Sequence, residues 1–258
     1  MGKVLAVINQ KGGVGKTTSA YHVATALSDR YRVLMVDMDP QGGLTYMATE
    51  KDPDEYELTT ADILLGEAKL PEVIVKVRES LDLAPANIYL SKVEVQLIDK
   101  IQRELRLKKA LRFVLDLYDL IVVDTPPSLG LLTLNALFAA DAVLIPVEAK
   151  LMGLRGLAIL QEVLKEIKEN VEDFDLDILG ILPTFYDQRT TLSKEVLEEL
   201  REVFGEDVMI FPPVKTTVKL AETPVFRKPV HERPETRSSD VAKAYLEVAE
   251  EVERWLRS

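Results

Sequence analysis

Short runs of apolar residues alternate along the chain with longer stretches in which apolar residues recur at helical spacing. The runs span residues 4–8, 32–37, 81–86, 120–123, 141–147 and 177–183. Continuous apolar runs of this length are typical of strands covered on both faces. The helical stretches span residues 19–27, 59–66, 91–117, 130–137, 151–169 and 240–256. This alternation predicts an α/β fold, a doubly wound and mostly parallel sheet with helices on both faces and right-handed crossovers.

A glycine-rich segment joins the first predicted strand to the first predicted helix. Residues 9–18 read Asn-Gln-Lys-Gly-Gly-Val-Gly-Lys-Thr-Thr. Glycines there let backbone N–H groups approach phosphate oxygens that a Cβ would obstruct, and the helix N-terminus adds free donors and partial positive charge. The segment therefore predicts a phosphate cradle, with a solvated glycine-rich connection as the alternative.

This segment meets only part of the general phosphate-loop pattern Gly-x-x-x-x-Gly-Lys-Ser/Thr. Gln10 stands where the first glycine is expected, and Lys11 precedes the paired glycines. The far end is intact, so Lys16 is predicted to neutralise the β- and γ-phosphates and the Thr17 hydroxyl to ligate Mg²⁺.

Aspartates follow two of the predicted strands. Asp37 and Asp39 end one strand, and Asp124 ends the run at residues 120–123. Carboxylates at the C-terminal edge of a parallel sheet lie where ligands bind, and two residues two apart in extended chain share one side. We expect one carboxylate of the Asp37/Asp39 pair to orient a water and the other to support Mg²⁺, with Asp124 holding a Mg²⁺-bound water. Turn-forming aspartates are the alternative.

Composition narrows the class of protein. At 258 residues, one α/β domain over residues 1–258 is expected, and 47% hydrophobic with 29% charged residues is typical of a globular protein. No apolar run reaches membrane-spanning length and no room for a signal peptide precedes the first strand, so a cytoplasmic location is expected. The absence of cysteine excludes iron–sulfur ligation by thiolates. The net charge of −11 argues against a surface that binds nucleic acid over most of its area.

Three motifs together resemble those of ParA/MinD ATPases, most closely the Soj/ParA type. They are Lys-Gly-Gly-Val-Gly-Lys-Thr-Thr at 11–18, Asp-Met-Asp-Pro-Gln-Gly at 37–42 and Asp-Thr-Pro-Pro at 124–127. The resemblance implies the P-loop NTPase fold and an Mg²⁺-dependent ATP hydrolase with ATP and Mg²⁺ as cofactors. It implies an ATP-sandwich homodimer in which Lys11 reaches the partner's nucleotide and Asp39 positions water.

The resemblance assigns the remaining site residues. The catalytic residues are then Lys11, Lys16 and Asp39, and the metal ligands are Thr17, Asp39 and Asp124. ATP is bound by Lys11, Gly12, Gly13, Val14, Gly15, Lys16, Thr17 and Thr18. Thr184 and Pro213 are then near the base, with a tight Pro-rich chain exit that has no ligand role as the alternative for each. Local patterns place Arg189, Lys215 and Lys219 where Soj-type proteins touch DNA phosphates, although an ordinary charged surface is the alternative.

The implied function is chromosome or plasmid partitioning with a ParB-like activator and non-sequence-specific DNA, the ATP-bound form being nucleoid-associated. A MinD-like positioning ATPase would act at a membrane, but the last predicted helix is rich in Glu and a membrane anchor is not expected. A ParA-like ATPase that positions a protein cargo is the other alternative. The basic run between Lys100 and Arg112 is expected to be a solvated helix face rather than an anion-binding surface.

Overall fold

A computed structural model describes residues 2–172 and 174–258, and within them a seven-stranded sheet has the order β3-β4-β2-β5-β1-β6-β7. Its strands are β1 (Lys3–Val7), β2 (Val33–Asp37), β3 (Val75–Arg78), β4 (Leu81–Ala84), β5 (Leu120–Asp124), β6 (Ala142–Glu148) and β7 (Asp177–Thr184). All neighbouring strands are parallel except β3, which runs antiparallel to β4 at the edge. The predicted doubly wound, mostly parallel sheet is confirmed.

Helices connect the strands and lie on both faces of the sheet. They are α1 (Lys16–Leu27), α2 (Gly43–Ala48), α3 (Thr60–Leu65), α4 (Leu70–Val73), α5 (Leu90–Gln96), α6 (Arg106–Leu111), α7 (Leu131–Ala139), α8 (Leu151–Asn170), α9 (Thr191–Phe204), α10 (Val218–Ala221), α11 (Thr223–Phe226) and α12 (Asp240–Arg257). Short 3₁₀ turns span Pro53–Glu55 and Arg103–Leu105. Within the described ranges no helix is long and apolar enough to cross a bilayer.

Alternation along each strand divides the core into two halves. In and just after β1, Val4, Ala6 and Ile8 enter the cluster that includes residues of α3, α5, α6, α7 and α8. Leu5 and Val7 point to the opposite cluster, which includes residues of α1 and α12. Because both faces are covered, the central strands are apolar throughout, which is why their sequences form continuous runs rather than alternating ones.

The structure departs from the sequence prediction at residues 91–117. The prediction of one continuous helix there is wrong, because α5 ends at Gln96 and α6 begins only at Arg106. Between them Gln102 has a left-handed backbone, with φ of 54°. The buried side chain of Asn135 on α7 secures the break. Its Oδ1 accepts from the N–H of Leu107 at 3.0 Å, and its Nδ2 donates to the carbonyl of Arg103 at 2.9 Å. These contacts satisfy backbone groups that a continuous helix would have paired internally.

The strand order brings the predicted site together. β5 lies between β1 and β2, and the register aligns Val7, Asp124 and Asp37 side by side at the C-terminal ends of the three strands. The loop that follows β1 therefore meets the carboxylates that end β5 and β2. This is the sheet edge at which ligands bind in open α/β folds.

Candidate active site

The loop between β1 and α1 is held in the conformation that a phosphate cradle requires. Gly13 and Gly15 have φ of 73° and 92°, in the left-handed region that favours glycine. Gly15 caps α1 without any side-chain hydrogen bond, which leaves the first N–H groups of this twelve-residue helix available to an anion. Asn9 anchors the loop, since its Nδ2 donates to the carbonyl of Pro146 at 2.7 Å and its Oδ1 accepts from the N–H of Lys11 at 2.9 Å.

Lys16 points into this loop. Its side chain is buried, and Nζ donates to the carbonyl of Lys11 at 3.1 Å. Burial lowers the pKa of Lys16 from its usual value, while the carboxylates of Asp124 and Asp39 oppose that shift. A phosphate bound in the loop would place negative charge beside this ammonium group.

Asp124 is a buried carboxyl group without a hydrogen-bond partner at either oxygen among the described residues. Burial and then the nearby carboxyl of Asp37 raise its pKa well above the usual range, and the Thr17 hydroxyl and Lys16 ammonium oppose this only in part. An orphaned carboxylate beside a threonine hydroxyl is a donor set of the kind that Mg²⁺ prefers. The residues present therefore fit the metal ion.

The other two aspartates differ from each other more than their spacing suggested. Asp37 is fully buried and accepts from the N–H and hydroxyl of Thr45, at 2.9 and 2.8 Å, and from the N–H of Asp39 at 3.0 Å. Burial raises the pKa of Asp37 to about 6 despite these hydrogen bonds. Asp39 is half-buried, and its carboxylate acts electrostatically on Lys16 of the loop. Asp37 thus fastens the start of α2 to the sheet, and Asp39 is the carboxylate of the pair that a ligand can reach.

Lys11 extends away from Lys16 and pairs with the carboxylate of Glu148 at the end of β6. Lys150 pairs with the other oxygen of the same carboxylate. Burial opposes the shift, but the two ammonium groups hold the pKa of Glu148 below its usual range. Glu148 had no role in the sequence interpretation, although its place at the carboxyl end of a buried strand was a usable signal.

A pocket of about 310 Å³ opens beside the loop, and its walls are mostly apolar. The Thr184 hydroxyl donates to the carbonyl of Val14 at 2.9 Å and so joins the end of β7 to the phosphate loop. Phe185, with φ of 53°, turns the chain at the pocket. Val214 lines the pocket, whereas its neighbour Pro213 does not appear among the lining residues. The volume suits a nucleobase-sized group.

The three predicted DNA-contacting cations lie near this pocket, and each already has a partner. Arg189 forms a two-pronged ion pair with Asp187 at 2.9 and 2.8 Å. Lys215 pairs with Asp240 at 2.6 Å, and Lys219 Nζ donates to the carbonyl of Glu235 at 3.1 Å. A bridge between Tyr186 and Lys215 brings the segments around Arg189 and Lys215 side by side.

A phosphate loop between β1 and α1, with acidic ends on the neighbouring strands, defines a P-loop nucleoside triphosphatase. The AAA domain family model matches residues 2–178. The chain is 41% identical to the sporulation initiation inhibitor protein Soj of Bacillus subtilis over 256 residues, which cover 98% of each chain. It is also 41% identical to the chromosome-partitioning ATPase Soj of Treponema pallidum over 89% of each chain. The chain belongs to the ParA/Soj family of partitioning ATPases.

A solved structure of similar fold comes from Mycobacterium smegmatis. It is described as cobyrinic acid a,c-diamide synthase with a bound ATP analogue and magnesium, and it is 35% identical with a TM-score of 0.85 over 100% of this chain and 97% of the other. The predictions of a ParA/Soj-type ATPase, of the P-loop fold and of ATP and Mg²⁺ as cofactors are confirmed. The roles of individual residues stay predictions.

Proposed function

We propose that this chain, as a single domain over residues 1–258, is an ATP-driven partitioning switch that forms a nucleotide-sandwich dimer, binds DNA without sequence preference and responds to a ParB-like protein. The observation that carries the proposal is the position of Lys11. The side chain of Lys16 points into the phosphate loop of its own protomer. The side chain of Lys11, which is 35% exposed, lies at the rim of the loop beside Glu148. A lysine at the rim is available to the nucleotide of a second copy.

Within one protomer the residues divide into three roles. Lys16 and the N–H groups of residues 12–18 bind phosphates, and Thr184 with Val214 encloses the base. Thr17, Asp124 and Asp39 would hold Mg²⁺, which neutralises charge on the phosphates when bound. Asp39, the half-buried and less enclosed member of its pair, orients the attacking water.

The DNA-binding part of the proposal rests on Arg189, Lys215 and Lys219. All three belong to segments next to the base pocket, and Lys215 itself lines it. Their present partners are exposed carboxylates and a backbone carbonyl, and exposed ion pairs of this kind contribute little stability. A DNA phosphate can therefore replace them at small cost. Doubling the contacts by dimerisation strengthens binding steeply, which links DNA binding and nucleoid location to ATP.

The test is binding of a random-sequence duplex with ATP, ADP or no nucleotide, at several salt concentrations. We expect binding only with ATP, because the dimer is needed to add up weak contacts. An Arg189→Ala/Lys219→Ala double variant should lose binding, with the logarithmic salt slope falling by about 0.9 for each phosphate contact removed. The matched control is Lys108→Ala/Arg112→Ala, which removes two exposed cations on and just after α6.

Four results would contradict parts of the proposal. Nucleotide-independent binding, or loss of binding in the control variant, would refute the DNA switch. An Lys11→Ala protein that dimerises on ATP and hydrolyses it normally would refute the role of Lys11. No duplex binding in any state would leave the ATPase in place and favour a membrane or a protein cargo as the scaffold. A membrane is disfavoured by α12, whose apolar residues Val241, Tyr245, Val248 and Val252 are buried in the core.

A further inference from the structure

A second cleft lies apart from the nucleotide pocket, between the edge strand β3, the end of α2 and the segment that follows α11. Its volume is about 620 Å³, and none of its lining residues also lines the pocket beside the phosphate loop. Tyr21, on α1, is at its inner wall, where the phenol hydroxyl donates to the carbonyl of Arg227 at 2.9 Å.

The lining of this cleft is strongly basic. Its charged residues are the cations Lys51, Lys76, Arg78, Arg227 and Lys228 and the anions Glu50 and Glu232. Of these, Arg78 and Glu232 form an ion pair with each other. Such an excess of positive charge stands out in a chain whose net charge is −11. Converging cations with more charge than their carboxylate neighbours can neutralise create a local field that attracts anions.

Arg227 gives the strongest indication of a ligand. Its Nε is buried and has no hydrogen-bond partner among the described residues. The guanidinium lies over the ring of Tyr46, with Cζ 5.2 Å from the ring centroid, and the backbone is left-handed with φ of 49°. A charged donor that is buried without an acceptor is unfavourable. The left-handed backbone is accounted for by the end of α11, where Arg227 is the capping residue, so the indication of a ligand rests on the buried Nε without an acceptor.

We propose that this cleft binds a small phosphorylated ligand that carries at least two negative charges. Phosphate oxygens match the planar donors of two arginines and tolerate the point charges of lysines. The cleft is concave, and the side chains of Arg78 and Arg227 are half-buried in it. A terminal phosphate of a small molecule can enter such a space, whereas the phosphates of a duplex lie along a convex surface. This site is additional to the nucleotide site and does not depend on the proposed DNA switch.

The test uses labelled inorganic pyrophosphate as the probe, in equilibrium dialysis against the full chain without Mg²⁺. We expect two equivalents to bind to the wild type, one to the phosphate loop and one to the cleft. Lys16→Ala should retain the cleft equivalent. Arg227→Gln/Lys76→Gln should retain only the loop equivalent, with affinity at the cleft at least 10-fold weaker.

Two further variants keep the test decisive. Arg227→Lys/Lys76→Arg preserves both charges and should restore the second equivalent, and Lys108→Gln/Arg112→Gln removes two cations elsewhere and should bind both. One equivalent in the wild type that Lys16→Ala abolishes would overturn the proposal. So would two equivalents in Arg227→Gln/Lys76→Gln. If that variant loses duplex binding but not pyrophosphate, the cleft serves nucleic acid and the small-ligand proposal is wrong.

Discussion

The ammonium group of Lys11 and the carboxylate of Glu148 form an ion pair across the rim of the phosphate loop, 137 residues apart in the chain. The pair holds Lys11 against its own protomer. In the proposed dimer, contact with a second copy's nucleotide would require this lysine to exchange Glu148 for phosphate. Glu148 would then compete with the dimer for the same ammonium group.

Replacement of Glu148 by Gln should strengthen ATP-dependent dimerisation. Loss of the carboxylate leaves Lys11 free, and a partly exposed ion pair is worth about 0.5–1 kcal/mol after solvent screening. We expect the dissociation constant of the dimer to fall by about 2–5-fold for each of its two copies of Lys11. Sedimentation equilibrium with a non-hydrolysable ATP analogue measures it. Glu169→Gln, which removes an exposed carboxylate at the end of α8, is the control. Weaker dimerisation of Glu148→Gln would show that Glu148 supports the interface.

Replacement of Asp124 by Asn should separate the stability of the protein from its response to metal. Asp124 is buried without a partner and lies near Asp37, so a neutral amide should keep or raise the melting temperature without ligand. Stabilisation by Mg²⁺-ADP should be lost, and ATP hydrolysis should fall by about 100-fold or more. Thermal unfolding with and without Mg²⁺-ADP, beside an exposed Asp116→Asn control, measures both effects. If Mg²⁺-ADP still raised the melting temperature of Asp124→Asn, Asp124 would not be a metal ligand.

The buried imidazole of His22 should make stability fall at acid pH. It stacks on Tyr245 at 4.5 Å, Nδ1 lies 2.7 Å from the Thr18 carbonyl, and Nε2 accepts from the N–H of Val230 at 3.1 Å. The ring is therefore neutral and protonated at Nδ1. Burial lowers the pKa of His22 from its ordinary value of 6.5 to about 3.

The sign of the pH effect follows from this lowered pKa. Between pH 6.5 and 3 the unfolded state binds one more proton at His22 than the folded state. The contribution of neutral His22 to the free energy of unfolding is therefore complete above pH 6.5 and decreases by about 1.4 kcal/mol for each pH unit below it. In His22→Gln that slope should disappear, and the variant, less stable at pH 7.5 by about 1–3 kcal/mol, should approach the wild type on acidification. Urea unfolding between pH 7.5 and 4.5 measures the difference, with Lys168→Gln as control. Parallel curves would mean that His22 titrates normally.

Replacement of Thr184 by Val should weaken nucleotide binding while the fold persists. The two side chains have the same shape, but valine leaves the carbonyl of Val14 without the Thr184 hydroxyl. An unpaired carbonyl in a buried loop costs about 1–3 kcal/mol, which corresponds to roughly 5- to 150-fold weaker ADP binding when the loop shifts in response. Calorimetric titration measures it against Thr49→Val at the end of α2. Unchanged affinity would show that the hydroxyl does not set the loop position.

Much of the site was predictable because its signals are local. Neighbouring residues determine the turn conformations of Gly13 and Gly15 and the start of α1. The position of Asp124 follows from the apolar run before it and from the rule that parallel strands end at one edge of the sheet. The helix predicted at 59–66 is likewise present as α3, with the capping box between Thr59 and Asp62 that its sequence encodes. Periodicity and turn chemistry act over a few residues, so they can be read without coordinates.

Tertiary structure decided what depends on residues far apart in the chain. Thr45 and burial distinguish Asp37 from Asp39, although both look alike in sequence. Asn135 stabilises the break in the helix that spacing predicted through residues 91–117, and Glu148 forms the ion pair with Lys11. The basic cleft gathers residues between 21 and 232 that no motif connects. Sequence fixes local backbone preference and the pattern of burial, while the partner of each polar group is set only when the sheet brings distant segments into contact.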